Sequence, residues 1–273
     1  MALPDITVWP CEAIWQAVVP QLPGFSVEVV PEIDSTNAEL MRRARAGQAE
    51  PVLLVAEHQT AGRGRLGRYW HSEEGRGAGG PACLTFSLGL SLAPQDWSGL
   101  SLAVGLSLAQ SLHPDIRLKW PNDLWWRDRK LAGILIETVH VANVYADRRR
   151  YVVIGMGVNI QTPTPPGLST EAVGLTELTS GMDAMQALAG SVPPLVDAIL
   201  RFEQRGFAPF QAAFHARDAL VQRVVTLSDG SQGLALGVDA QGALQVQTPL
   251  GLRSVTSAEV SVRPVPGPDD HHS

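Results

Sequence analysis

Gln59-Thr60-Ala61-Gly62-Arg63-Gly64-Arg65-Leu66-Gly67-Arg68-Tyr69-Trp70 is the stretch on which the fold turns. Its glycines match G-x-G-x-x-G and follow the apolar segment 52–56, so a dinucleotide-binding βαβ unit is the first reading to weigh. That reading needs a helix opening at the third glycine and an acid about 20 residues on. Gly67 leads instead into Arg68-Tyr69-Trp70-His71-Ser72, with no helical pattern, and no acid ends a strand at the required distance. The helix terminus that would hold a pyrophosphate is missing. An anion loop fits better. Glycines permit close backbone approach. Arg63, Arg65 and Arg68 add forked donors for phosphate or carboxylate, and Trp70 offers a face for a base. A loop this rich in Gly and Arg, spanning 62–80, is expected to be mobile when empty.

Outward from this loop, the pattern is mixed. Strands are expected at 25–30, 52–56, 84–90, 116–119, 124–126, 131–139 and 151–154. Helices are expected at 12–19, 37–46, 97–112, 184–205 and 209–217. Thr36 and Glu39 have capping-box spacing, and Gly47 sits where that helix should stop. After Asp218 the texture changes to short strands at 223–227, 233–238, 243–247 and 252–256, which read as a small β-barrel. Strands grouped rather than alternating with helices predict an α+β fold. The domains expected are 1–217 and 218–265, with a disordered tail over 266–273.

The chain has 273 residues, 45% hydrophobic and 18% charged, enough for a sizeable core and too ordered in composition for a disordered chain. Its net charge of −6 argues against a protein that coats nucleic acid. Two cysteines make no disulfide framework and fit a reducing compartment. The first 24 residues hold no Lys or Arg, unlike a signal peptide, and no run of 18 apolar residues suggests a membrane span. A cytoplasmic protein is expected.

Of 21 basic residues only Lys119 and Lys130 are lysine. In an arginine-rich chain, that marks places where a compact point charge is needed. Both flank one short hairpin. Lys119-Trp120-Pro121-Asn122-Asp123 sets an amide and a carboxylate beside a lysine, and Asp123 has the chemistry to hold Mg²⁺. Ordinary turn chemistry explains Asn122-Asp123 equally well when taken alone. Lys130 leads the buried strand Leu131-Ala132-Gly133-Ile134-Leu135-Ile136-Glu137. Gly155-Met156-Gly157-Val158-Asn159 closes another apolar strand, where glycines admit a ligand and Asn159 offers donor and acceptor to an adenine edge. A tight turn is the competing explanation there. No P-loop, no G-x-S-x-G elbow and no H-E-x-x-H occurs, and the histidines lack paired zinc-ligand spacing.

These motifs resemble those of biotin protein ligases, in order and in spacing. The resemblance rests on the 59–70 run, on Asp34-Ser35-Thr36-Asn37, on Lys119–Asp123, on Arg129-Lys130-Leu131-Ala132-Gly133-Ile134-Leu135, and on Ile154–Ile160. It covers about residues 29–263. It implies a mixed-sheet catalytic domain related to class II tRNA synthetases and lipoate ligases, followed by an SH3-like barrel. The implied reaction joins biotin to ATP as biotinyl-5′-AMP and then passes biotin to a lysine of a biotin carboxyl carrier protein. The resemblance assigns Ser35, Thr36, Gln59, Gly62, Arg63, Arg65, Lys130 and Gly133 to biotin. It assigns Arg63, Arg68, Trp70, Lys119, Asn122, Asn159 and Arg263 to ATP, and gives catalysis to Lys130, Arg65 and Arg68. Asp123, with Asn122, would organise Mg²⁺. Leu66 stands where many members have Arg or a polar residue, which implies a looser hold on the adenylate. Fewer than 30 residues precede the first family strand, so the type expected is monofunctional, without an N-terminal DNA-binding domain and without DNA binding. Members are monomers or sheet-edge dimers. A lipoate ligase on the same fold and a biotin sensor without catalysis are the alternatives. Gly77-Ala78-Gly79-Gly80-Pro81 only faintly echoes the lipoate motif, and retention of Lys130 argues against the sensor.

Overall fold

The computed structural model describes residues 8–72, 76–77, 80–139, 149–164, 170–256 and 263–264. The tail expected over 266–273 and part of the loop expected over 62–80 lie outside the described residues. A seven-stranded sheet forms the main unit. It contains β1 (Ser26–Ile33), β2 (Val52–Gln59), β5 (Cys83–Leu92), β6 (Arg117–Lys119), β7 (Asp123–Trp126), β8 (Arg129–Val139) and β9 (Arg150–Asn159). Their spatial order is β1-β2-β5-β9-β8-β7-β6. The β1–β2 pair is parallel and the remaining pairs are antiparallel, so the sheet is mixed. Between β2 and β5 lies a two-residue ribbon of β3 (Arg76–Gly77) and β4 (Gly80–Pro81).

The central strands are apolar at nearly every position because both faces of the sheet are covered. On one face pack α1 (Cys11–Val18), α3 (Leu100–Leu112) and α4 (Ala184–Arg205), against Leu53, Val55, Val152 and Ile154. On the other face α2 (Thr36–Arg45) sets Leu40, Met41 and Ala44 against Leu54, Tyr151 and Val153. Alternation along β9 then carries Gly155, Gly157 and Asn159 onto the α2 face. The register places Gly155 between Ser87 and Leu135, and Gly157 between Thr85 and Gly133. The α2 face is thus apolar at one end and changes to small and polar residues at the other.

The boundaries differ in instructive ways. α2 begins one residue early. Ser35 is the N-cap, its hydroxyl accepting from Ala38 N–H at 3.4 Å, while Glu39 turns to Arg42 and Arg43. The Thr36–Glu39 capping box does not form, because Thr36 faces inward. α3 starts at Leu100 rather than near Trp97, since Gly99 at φ 82° ends the preceding turn. β9 continues through the glycines to Asn159 instead of ending before them. The helix expected over 209–217 is a 3₁₀ turn, Ala208–Phe210, followed by α5 (Gln211–His215).

The second sheet has the order β13-β12-β11-β10-β14, with β10 (Val224–Thr226), β11 (Gln232–Val238), β12 (Leu244–Thr248), β13 (Gly251–Val255) and β14 (Arg263–Pro264). It docks behind the β6–β7 hairpin. Leu118 N–H donates to Arg217 C=O at 2.7 Å, and Ala219 N–H to Leu118 C=O at 3.0 Å. The buried Trp120 indole donates to Gly242 C=O at 3.1 Å, and Arg223 pairs with Asp128 at 2.6 Å. This edge of the main sheet, which carries Lys119 and Asp123 next to Lys130 at the start of β8, is therefore held against the small sheet. No helix among the described residues is long and apolar enough to cross a membrane.

Candidate active site

One cleft on the α2 face is lined by residues of all five stretches. Its first end is neutral. Gln59, at the end of β2, accepts at Oε1 from Thr36 N–H (2.7 Å) and Thr36 Oγ1 (3.1 Å). Thr36 Oγ1 also lies 2.7 Å from Ser87 Oγ, and Ser87 Oγ donates to Asn37 Oδ1 at 2.6 Å. Thr36, Asn37, Gln59 and Ser87 are all buried. With Oε1 occupied, the amide nitrogen of Gln59 faces Gly62, where a Cβ would stand 3.2 Å from it. This end presents hydroxyl and amide groups whose orientations are already fixed.

The Gly–Arg run closes on itself through its backbone. Gly64 N–H donates to Arg68 C=O at 2.8 Å, and Trp70 N–H to Gly62 C=O at 2.9 Å. A Cβ on Gly62 would stand 2.4 Å from Trp70 C=O, so this close return needs glycine. Leu66 forms the tip at φ 57°, a left-handed conformation unusual for leucine. Among the described residues no helix opens at Gly67, since 68–72 are non-helical, which removes the dinucleotide reading. The Trp70 indole lies flat on the sheet. A Cβ on Gly157 would meet its Cε2 at 2.3 Å, and one on Gly133 its Cζ3 at 3.2 Å. The two glycines expected to admit a ligand therefore admit the protein's own side chains, Asn37 over Gly155 and Trp70 over Gly157.

The second end is cationic. Lys130 Nζ sits 2.8 Å from Asp123 Oδ1, and Lys119 Nζ 4.0 Å from Oδ2. Lys130 also stands 5.6 Å over the Trp70 ring. Lys119 is buried, which pushes its pKa down to about 8. The neighbouring cations Lys130, Arg68 and Arg65 push the same way, and Asp123 opposes them. Arg65 donates to Asn122 Oδ1 at 3.2 Å, and Asn122 in turn donates to Ile134 C=O at 2.9 Å. Burial also lowers the Arg65 pKa, with Asp123 opposing. Among the described residues no group of three His, Cys, Asp or Glu side chains is placed to hold a metal.

The cleft brings together Ser35, Thr36, Gln59, Arg63, Arg65, Arg68, Trp70, Lys119, Asn122, Asp123, Lys130, Gly133 and Asn159. Asn159 lines the wall, but its amide nitrogen is engaged with Lys130 C=O (3.2 Å) and Val173 C=O (3.3 Å). Arg263 contributes backbone to β14 opposite Thr226, and its side chain lies outside the described residues. Sequence reasoning gave no role to Asn37, Ser87 or Glu137. Their signal was a polar residue inside an otherwise apolar strand or helix start, visible only as a departure from pattern.

The biotin/lipoate A/B protein ligase family matches residues 29–159, and the biotin protein ligase C-terminal domain matches residues 223–263. The bifunctional ligase/repressor BirA of Escherichia coli (strain K12) is 34% identical over 258 residues, 90% of this chain and 77% of that protein. The biotin--[acetyl-CoA-carboxylase] ligase of Mycobacterium tuberculosis is 34% identical over 233 residues, 80% of this chain and 82% of that one. Among solved structures, the biotin protein ligase from Aquifex aeolicus in complex with biotin and ATP superposes with a TM-score of 0.72 at 26% identity, covering 88% of this chain and 99% of that one. The mixed sheet, its cleft and the appended small sheet are those of the biotin and lipoate ligase class. Within that class, the chain belongs to the biotin protein ligase family.

Proposed function

We propose that the chain is an ATP-dependent biotin protein ligase. Biotin carboxylate oxygen attacks the α-phosphorus of ATP, pyrophosphate leaves, and biotinyl-5′-AMP forms. A lysine amine of a biotin carboxyl carrier domain then attacks the acyl carbon, and AMP leaves. The observation that carries this reading is a single cleft with a fixed neutral end, a cationic end and the Lys130 ammonium beside Asp123.

The first step brings a carboxylate onto a triphosphate and opposes like charges. Preplaced cations that gain strength as charge grows on the phosphorus oxygens lower that barrier. Lys130 supplies a point charge between carboxylate and α-phosphate. Arg65 and Arg68 serve catalysis at the phosphates, and Lys119 and Asn122 hold the departing pyrophosphate side. Ser35, Thr36 and Gln59 receive the ureido ring of biotin, with Gly62, Arg63 and Gly133 along its length. Trp70, Asn159 and Arg263 take the nucleoside. Asn159 then reads adenine through its oxygen, since its nitrogen holds backbone. Asp123 is better matched to its two lysines than to Mg²⁺, because each oxygen faces an ammonium group and, among the described residues, no group of three metal-ligating side chains forms around it. Any Mg²⁺ of the reaction is expected to arrive on the ATP phosphates.

We take residues 1–217 as the catalytic unit and 218–265 as the barrel. The partner is the carrier domain of acetyl-CoA carboxylase or a related carboxylase. The proposed location is the cytoplasm, and the proposed assembly is a monomer or weak homodimer. The acidic net charge of −6 supports no DNA binding, and operator retention in a gel-shift would reverse that. Binding of adenylate is expected to reduce hydrogen exchange across 62–80 and 162–173. The deciding experiment is mass spectrometry of products after incubation with ATP, Mg²⁺ and either biotin or lipoate, without carrier. Biotinyl-AMP alone is expected. Lipoyl-AMP alone, or neither adduct with biotin still bound, would overturn the reading.

A further inference from the structure

Glu137 belongs to none of the motifs. The register of β8 against β9 places it opposite Val153, on the face that carries the cleft. Both of its oxygens have partners. Oε2 accepts from Asn37 Nδ2 at 3.0 Å, and Oε1 accepts from Arg63 Nη2 at 3.3 Å. Asn37 is only 4% exposed, and its amide is engaged on both sides. Oδ1 accepts from Ser87, while Nδ2 also donates to Leu135 C=O at 3.3 Å. Turning the amide over would set oxygen against a carbonyl and a carboxylate, so its orientation is determined. Gly155 makes the seat, because a Cβ there would stand 1.9 Å from Asn37 Oδ1. A glycine inside a strand weakens it, and this one exists to let Asn37 aim Glu137.

We propose that Glu137 is a positioning residue for the Gly–Arg turn, held by Asn37 and holding Arg63. The inference rests on the biotin-ligase reading above. Through Asn37 and Ser87, Glu137 shares one hydrogen-bonded system with Thr36 and Gln59, the residues assigned to biotin. Through Arg63 it reaches the turn that lines the same cleft. The Arg63 side chain is 53% exposed, and an exposed ion pair is weak enough to open and close in each catalytic cycle. Glu137 touches no reacting atom. It sets how often the turn stands in its biotin-binding position.

Glu137→Gln keeps an acceptor for Asn37 and removes the charge seen by Arg63. The expected result is a biotin KM raised about threefold to fivefold, the size an exposed pair supports. At saturating biotin, kcat should stay within about twofold of the parent, since only binding is affected. The thermal midpoint should not move, and the salt dependence of the biotin KM should shrink. Arg63→Gln should raise the biotin KM by at least as much, and the double variant should show no further rise from the Glu137 change. An unchanged biotin KM in Glu137→Gln, or effects that add, would overturn the inference. If Glu137→Gln does not fold, Arg63→Gln on the exposed turn carries the test, and loss of salt dependence is the required result. A parent protein that makes no biotinyl-AMP removes the functional reading. A parent that turns over normally beside an indifferent Glu137→Gln removes only this inference.

Discussion

At the neutral end of the cleft, Thr36, Gln59, Ser87 and Asn37 already bond one another at 2.6 to 3.1 Å, whereas at the other end Lys119 and Lys130 face Asp123, and Arg65 and Arg68 are near enough to act on the Lys119 charge. The first arrangement is complete without a ligand. Its groups are preoriented by one another, so an acid whose polar atoms do not match that fixed pattern loses hydrogen bonds it had to water and is rejected. The second arrangement concentrates charge of one sign. Lys130, Arg65 and Arg68 each disfavour the Lys119 charge, an anion among them offsets that repulsion, and the attraction grows as negative charge develops in the reaction. Selection and rate are thus assigned to different ends, and substitutions should separate them.

Lys130→Ala is expected to have the largest effect. Biotinyl-AMP formation should fall on the order of 10²–10³-fold, as when one preorganised group at a developing charge is removed. Circular dichroism should stay native, and unchanged turnover would end the assignment of rate to this end. Gly157→Ala should come next. The new methyl would overlap Trp70 and destabilise the fold by roughly 1–3 kcal/mol. The ATP KM should rise more than the biotin KM, and equal damage to both would erase the division. Ser87→Ala removes a hydroxyl that bonds both Thr36 and Asn37, should cost about 1–3 kcal/mol, and should appear in the biotin KM. Calorimetric titration with biotin alone checks it.

The smallest effect concerns pH. Lys119 titrates near 8 in the folded protein against an ordinary 10.5. Below pH 8 the free protein holds its charge and attracts phosphate. As pH rises through 8 the charge is lost and ATP affinity should fall, an inflection that Lys119→Met abolishes. Stability moves the other way. Between pH 8 and 10.5 the unfolded chain keeps a proton that the folded one has released, so this group adds stability as pH rises. A flat ATP affinity from pH 7 to 9 would remove Lys119 from the phosphate end.

The strand and helix order was legible because apolar periodicity and turn residues agree along most of the chain. The surplus of arginine over lysine located the cationic end before any geometry. The neutral end was only half visible. Thr36 read as a helix cap, since sequence spacing alone does not show that Gln59 and Ser87 draw it inward. Gly155 and Gly157 read as space for a ligand. Only the register across β5, β9 and β8 shows that Asn37 and Trp70 fill that space. Glu137 looked like the polar end of a buried strand, and its partners lie 100 and 74 residues away in sequence.

Trp120 stands between Lys119 and the turn that carries Asp123, and its indole N–H finds its acceptor in the small sheet, at Gly242. The catalytic hairpin therefore borrows a structural part from a unit that begins about a hundred residues later. Deleting the small sheet would remove that acceptor and uncover an indole that is only 1% exposed, next in sequence to two residues that line the cleft, Lys119 and Pro121, at a cost of about 1.5–3 kcal/mol in lost burial. Such a truncation would be a lesion in catalysis as well as in stability. A chain cut after α5 should lose its lysine geometry even where its main sheet survives.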